Sequence, residues 1–201
     1  MAIKTLRFKV EGINEIRLNN PQAADPLNKY AIEMKAMTAV RKKDEEHILK
    51  MREIEIRSKL YWDDELGVYF PSNWIMEAIA KESFAQVKVS KAKMRSAVFP
   101  KTSKIKLNYE GMDTVKSKED LVLRDEFKVA ELIKQGQVRI VKMFPQFKNW
   151  SFEAEIEFDE RTFTEIDMRN ILDVAVRYNG FGDFRPTYGR GIITEWEVLD
   201  A

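Results

Sequence analysis

The sequence predicts an α+β fold on three observations. Apolar and polar residues alternate near the start and again over 150–158, which is the period of half-buried strands. Apolar residues fall at helical spacing over 32–40 and 164–178. The order of these runs lacks the regular strand–helix alternation of a doubly wound sheet. Hydrophobic residues make up 44% of the chain and charged residues 33%, so the 201 residues are expected to bury a core under a heavily charged surface, as a single domain spanning 1–201.

The elements follow in order. Leu6, Phe8 and Val10 alternate with Thr5, Arg7 and Lys9, giving a first strand that stops at Gly12. Asn19 to Pro26 is loop chemistry, and a charged helix with Ile32, Ala36 and Val40 follows it. Asp44-Glu45-Glu46 suits the start of a second helix. At Ile54 and Ile56 the period shifts to alternation, which predicts a strand to Trp62 and a hairpin through Asp63–Gly67 into Val68-Tyr69-Phe70. Pro71-Ser72-Asn73 starts a helix carrying Ile75, Ile79 and Ala80, after which 92–102 shows no period. Val138–Phe144 and Trp150–Phe158 read as paired strands, Thr164–Tyr178 as a helix capped by Thr164, and Ile192–Leu199 as the last strand. The first strand with the C-terminal part, 137–199, makes a ferredoxin-like sheet with helices on one face. Residues 19–108 are then a helical, hairpin and basic insertion.

Composition removes several chemistries. The chain has no cysteine, which excludes disulfides, thiolate metal sites and cysteine nucleophiles and suits a cytoplasmic location. Met1 to Arg7 lacks a signal-peptide core, and no apolar run reaches the roughly 18 residues of a membrane span. The single histidine, His47, lies in a charged helical run and is read as surface. Glu153, Glu155 and Glu157 share one strand face with Asp159 continuing the series. They are read as a salt-bridged face opposite Arg7 and Lys9, with a divalent-cation site as the alternative. No serine triad, phosphate-binding loop or zinc motif is present, so no enzyme activity and no cofactor are expected.

Two segments carry the candidate site. Net charge is only +1, yet no acid lies between Glu82 and Glu110, where Lys88, Lys91, Lys93, Arg95, Lys101, Lys104 and Lys106 are found. The second segment holds four of the eight glycines in twelve residues: Gly180, Gly182, Gly189 and Gly191. Glycines admit positive φ and close backbone approach, while Arg185 and Arg190 offer charge and Phe184 and Tyr188 offer stacking surfaces. A tight helix-to-strand connection explains the same glycines equally well.

The helix followed by Gly180-Phe181-Gly182, Gly189-Arg190-Gly191 and a strand resembles the glycine-rich loop of the RAMP superfamily, the RRM-like RNA-binding subunits of CRISPR effector complexes. Tyr69-Phe70-Pro71-Ser72-Asn73 resembles the turn into the first helix of such proteins, and Gly180 to Arg190 resembles the end of uncharacterised bacteriophage and prophage proteins. The resemblance implies an RRM-like binding fold. The six residues between Gly182 and Gly189 are one more than in the processing nucleases of the superfamily, and a matching histidine is missing, which weakens an endoribonuclease reading. In the superfamily's backbone subunits a basic excursion contacts the guide strand, a role for which 86–108 is the candidate.

The sequence therefore predicts sequence-tolerant binding of single-stranded RNA or DNA through the basic segment and the glycine loop. Self-association along the strand, or membership of a larger complex, goes with that reading, and no membrane partner is expected. The competing reading is a phage interaction protein that inhibits or mimics a host complex, its basic face meeting an acidic protein.

Overall fold

A computed structural model describes residues 3–200; the ends of the expected domain, Met1, Ala2 and Ala201, lie outside the described residues. In chain order the elements are β1 (Ile3–Gly12), β2 (Ile16–Arg17), α1 (Lys29–Ala39), α2 (Glu45–Lys59), β3 (Trp62–Asp63), β4 (Gly67–Pro71), α3 (Asn73–Val87) and α4 (Lys91–Arg95). There follow β5 (Val98–Pro100), β6 (Lys104–Lys106), α5 (Lys118–Leu123), β7 (Lys128–Gln135), β8 (Val138–Phe147), β9 (Ser151–Asp159), α6 (Glu165–Val174) and β10 (Gly191–Asp200). They form two compact units, residues 1–16, 69–110 and 148–201 in the first and 17–68 and 111–147 in the second. The expected insertion over 19–108 thus divides between them.

The first unit holds an antiparallel sheet in the order β10-β1-β9-β5. With α3 before β5 and α6 between β9 and β10, the path is βαββαβ, the ferredoxin-like arrangement. Leu6, Phe8 and Val10 of β1 and Phe152, Ala154, Ile156 and Phe158 of β9 are buried on one face, and Ile75, Ala78 and Ile79 of α3 and Met168, Ile171 and Leu172 of α6 are buried with them. Phe152 is the hub of the aromatic packing, meeting Phe8, Phe70 and Phe181 edge-on. The start of α6 is fixed by a capping box, in which the Thr164 hydroxyl accepts from Asp167 N–H and the Asp167 carboxylate accepts from Thr164 N–H. Gly12 ends the paired part of β1 because the Trp150 indole lies on it; a Cβ there would come within 2.4 Å of the ring.

The second unit corrects the sequence reading in two places. Residues 54–59 continue α2 and do not form a strand. Ile54, Ile56, Ser58 and Leu60 are all buried, because α2 is covered on more than one side, packing against α1, β8 and α5. A helix buried on two faces places apolar residues two apart and so imitates a strand. The second correction concerns β8, which does not pair with β9. It forms a hairpin with β7 through Gly136 at φ 61°, and its other edge pairs with β2. The edge of β8 at Met143 is capped by side chains of α2, Glu55 accepting from Met143 N–H and Lys59 donating to Met143 C=O. The helix α1 forms at the expected spacing, but Ile32 and Val40 face solvent.

Candidate functional site

The glycine loop is built first by its backbone. A widened π-type turn over Ala175–Asn179 ends α6, and Gly180 follows with φ 69°. Phe181 N–H donates to Gly189 C=O at 2.8 Å, and Gly189 N–H donates to Glu15 C=O at 2.7 Å. The strands of the loop cross so closely that a Cβ on Gly189 would lie 1.8 Å from Phe181 O and one on Gly180 2.6 Å from Gly189 O. These two glycines serve the crossing, which buries Phe181 in the aromatic core, while Gly191 serves the pairing with β1, where a Cβ would lie 2.7 Å from Glu11 O. Gly182, with φ 80°, and Phe184, with φ 58°, lie beyond the crossing. A positive φ on a bulky aromatic residue costs free energy that the surrounding structure must offset.

Beyond the crossing the loop lines a cleft of about 600 Å³. Gly182, Phe184 and Arg185 form one wall, and Lys91 of α4 with Glu77 and Lys81 of α3 the other. The structure thus brings one cation of the basic segment and the far part of the glycine loop to a single site. Lys81, which nothing in the local sequence singles out, joins them. Its ammonium donates to Asn179 Oδ1 at 2.6 Å, and Asn179 Nδ2 donates to the buried Glu82 at 2.6 Å, so the π-type turn is tied to α3 at the edge of the cleft. Lys91 and Arg185 are exposed and make no ion pair among the described residues. Asp183 accepts from Phe184 N–H.

The remaining expected site residues lie elsewhere. Arg95 pairs with Glu77 at 3.1 Å. Lys101 reaches Glu155 and Glu157 on the open sheet face, both at 3.9 Å. Lys104 and Lys106 flank β6, with the Lys104 ammonium 5.0 Å from the centre of the Tyr69 ring and Lys106 in register with Tyr69. Lys88 and Lys93 line a second cleft, beyond α4. Tyr188 N–H donates to Phe184 C=O, and Arg190 N–H donates to Asn14 Oδ1, while the Arg190 Nε is buried without a hydrogen-bond partner.

The open face of the sheet is occupied by its own charges. Arg7 donates to Glu155 at 2.8 Å and lies 3.6 Å from Glu197, and Lys9 reaches Glu11 at 3.3 Å and Glu195 at 3.2 Å. These carboxylates hold the Arg7 guanidinium and the Lys9 ammonium above their ordinary pKa values, first by accepting hydrogen bonds at Glu155 and Glu195 respectively. Among the described residues no group of three or more histidine, aspartate and glutamate side chains is arranged to hold a metal ion. His47 is half-buried, its Nε2 2.7 Å from the Met37 carbonyl, which ties the end of α1 to the start of α2. No described helix is long and apolar enough to cross a membrane.

No family model matches the chain, and no curated protein sequence matches it. Among solved structures it is similar to a chain in the cryo-EM structure of the Type III-B Cmr-beta bound to cognate target RNA, with a TM-score of 0.54 at 8% identity. The match covers 99% of this chain and 61% of that one, so this chain spans about three fifths of that protein's length. Against the crystal structure of Cmr6 from Pyrococcus furiosus the TM-score is 0.35 at 10% identity, with both chains covered in full, which is too low to carry an argument. The likeness to the Cmr-beta chain is one of fold.

Proposed function

We propose that this protein binds single-stranded nucleic acid, RNA foremost, through its phosphate backbone and without regard to sequence, as a non-catalytic subunit of a larger assembly. One observation carries the reading. Lys91 and Arg185, from segments far apart in the chain, converge on one cleft beside Lys81 and Phe184 and, among the described residues, make no ion pair with the Glu77 and Asp183 that also line it. Cations left without carboxylate partners at a cleft wall suit phosphate, and an aromatic face beside them suits a base. The fold is shared with a chain from an assembly bound to target RNA, which favours RNA over DNA in this proposal.

The test is fluorescence anisotropy of labelled single-stranded RNA and DNA against salt, for wild type and for the triple variant Lys81→Ala, Lys91→Ala, Arg185→Ala. Three phosphate contacts at about −0.7 each make the wild-type slope of log affinity against log salt steeper than the variant's by about 2. The RNA should remain intact with magnesium or manganese present. An absence of wild-type affinity at low salt, or a variant that keeps the full slope, would overturn the reading. Cleavage abolished by Glu155→Ala or His47→Ala would replace it with a nuclease.

A further inference from the structure

A second cleft, of about 680 Å³, is lined by Lys88, Ser90, Lys93, Asp159 and Arg161 among others. The short helix α4 takes part in both clefts, Lys91 lining the first and Lys93 the second. Residues two apart on a helix point about 200° apart, so α4 presents Lys91 and Lys93 to opposite sides. Resting on the function proposed above, we propose that the bound strand continues over α4 into this second cleft, where Lys88, Lys93 and Arg161 hold further phosphates.

Three features of the second cleft support the inference. Three cations face one carboxylate, and that carboxylate is already engaged: Asp159 takes Arg161 Nε at 2.9 Å and Nη2 at 2.8 Å, which fixes the guanidinium plane. After Arg161, Lys93 also helps to lower the pKa of the Asp159 carboxyl, yet it makes no ion pair among the described residues. The third feature is backbone conformation. Lys88 terminates α3 with φ 62°, its N–H donating to Phe84 C=O and Val89 N–H to Ser83 C=O, the arrangement in which glycine is the usual residue. Among the described residues three non-glycines have positive φ: Lys88, Asn149 and Phe184. Asparagine tolerates that region, whereas lysine and phenylalanine are strained there. Each of these two strained residues lines one of the clefts beside α4. Strain kept where a side chain is presented to a cleft is the pattern of a binding residue.

The experiment compares labelled oligouridylates of about four and about twelve nucleotides, lengths that bracket single-strand sites. Wild type should bind the longer one more tightly. Lys93→Ala and Arg161→Ala should each weaken the longer one roughly fivefold and leave the shorter one unchanged. Lys88→Gly separates binding from folding: it relieves the strain, so Tm should rise by about 2 °C while affinity for the longer strand falls. If the shorter strand binds and the longer binds no more tightly, the second cleft is wrong and the first stands. The second cleft is equally wrong if Lys88→Gly raises Tm with affinity intact. If neither length binds wild type, the proposed function fails and this inference with it. Binding of an acidic peptide at the second cleft in place of RNA would also overturn it.

Discussion

On the open face of the sheet Arg7, Lys9 and Lys101 lie among Glu11, Glu155, Glu157, Glu195 and Glu197, each cation within 4.0 Å of at least one carboxylate. On the helical side of the same unit Arg95 and Arg161 are paired with Glu77 and Asp159, but Lys91, Lys93 and Arg185 make no ion pair among the described residues. The two sides therefore differ in what part of their cations is left unpaired. A cation held between two carboxylates, as Arg7, Lys9 and Lys101 each are, has lost most of its pull on an external phosphate, since the strand would have to displace a carboxylate that competes for the same donor. Arg161, by contrast, meets the single carboxylate of Asp159 through Nε and Nη2. The open face also carries excess negative charge, which repels a nucleic-acid backbone. The difference teaches that charge pairing across the fold, and not cation density along the chain, marks the side on which a strand is expected.

The largest effect expected is on the backbone that supports the helical side. Gly189→Val places a branched side chain where a single Cβ already overlaps Phe181 O, at a residue with φ 75°. The loop crossing cannot persist, and the loss should reach about 3 kcal/mol or more, read as a shift in urea midpoint. Arg185→Ala, four residues earlier, should leave that midpoint within error. Equal losses would mean that the loop is one structural unit in which Arg185 has no side-chain role of its own.

A smaller effect separates the two faces by function. Arg7→Ala removes the contacts to Glu155 and Glu197 and should lower Tm by about 2 °C or less, as surface ion pairs do, with single-strand affinity unchanged or slightly lowered by the added negative charge. Lys91→Ala should do the reverse, leaving Tm alone and lowering affinity. Melting curves and anisotropy on the two variants form a crossed design. If both variants lose affinity equally, the comparison between faces collapses and the strand lies on the sheet.

The crossed design depends on residues of unequal legibility in the sequence. The strands β1 and β9 and the helix α6 could be read because each buries one clean face and α6 carries its own capping box. The ferredoxin-like sheet followed from them. The continuation of α2 past Ile54 was hidden by its burial on two sides, and β7 by a half-exposed surface in which Leu132 faces solvent. In the candidate site, Lys91 and Arg185 stood out through the acid-free stretch and the glycine cluster. Lys81 and Arg161 did not: one sits in a helix of mixed charge, the other in a turn after an acidic strand, and only the path of the chain brings them to the clefts. Pairing was equally invisible, since Lys101 belongs to the basic stretch in sequence and to the carboxylate face in space.

The smallest effect expected concerns Asp159, which ends the carboxylate series of β9 and also lines the second cleft. Hydrogen bonds from the Arg161 side chain, then from its backbone N–H, hold the Asp159 carboxyl down to about 2 from an ordinary 3.8. A carboxyl whose pKa is lower in the folded state stabilises the fold above its unfolded value and loses that contribution as pH falls toward the folded one. The part of the stability owed to Asp159 should therefore be complete above about pH 5 and should disappear between about pH 4 and pH 2. Thermal melts of wild type and Asp159→Asn across that range should show wild type the more stable at neutral pH and the two curves converging near pH 2. Arg161→Ala should produce the same convergence, because it removes the group that holds the carboxyl down. Curves that stay parallel would mean that the pair contributes nothing to folding, and that Arg161 is not held by Asp159 in the orientation the second cleft requires.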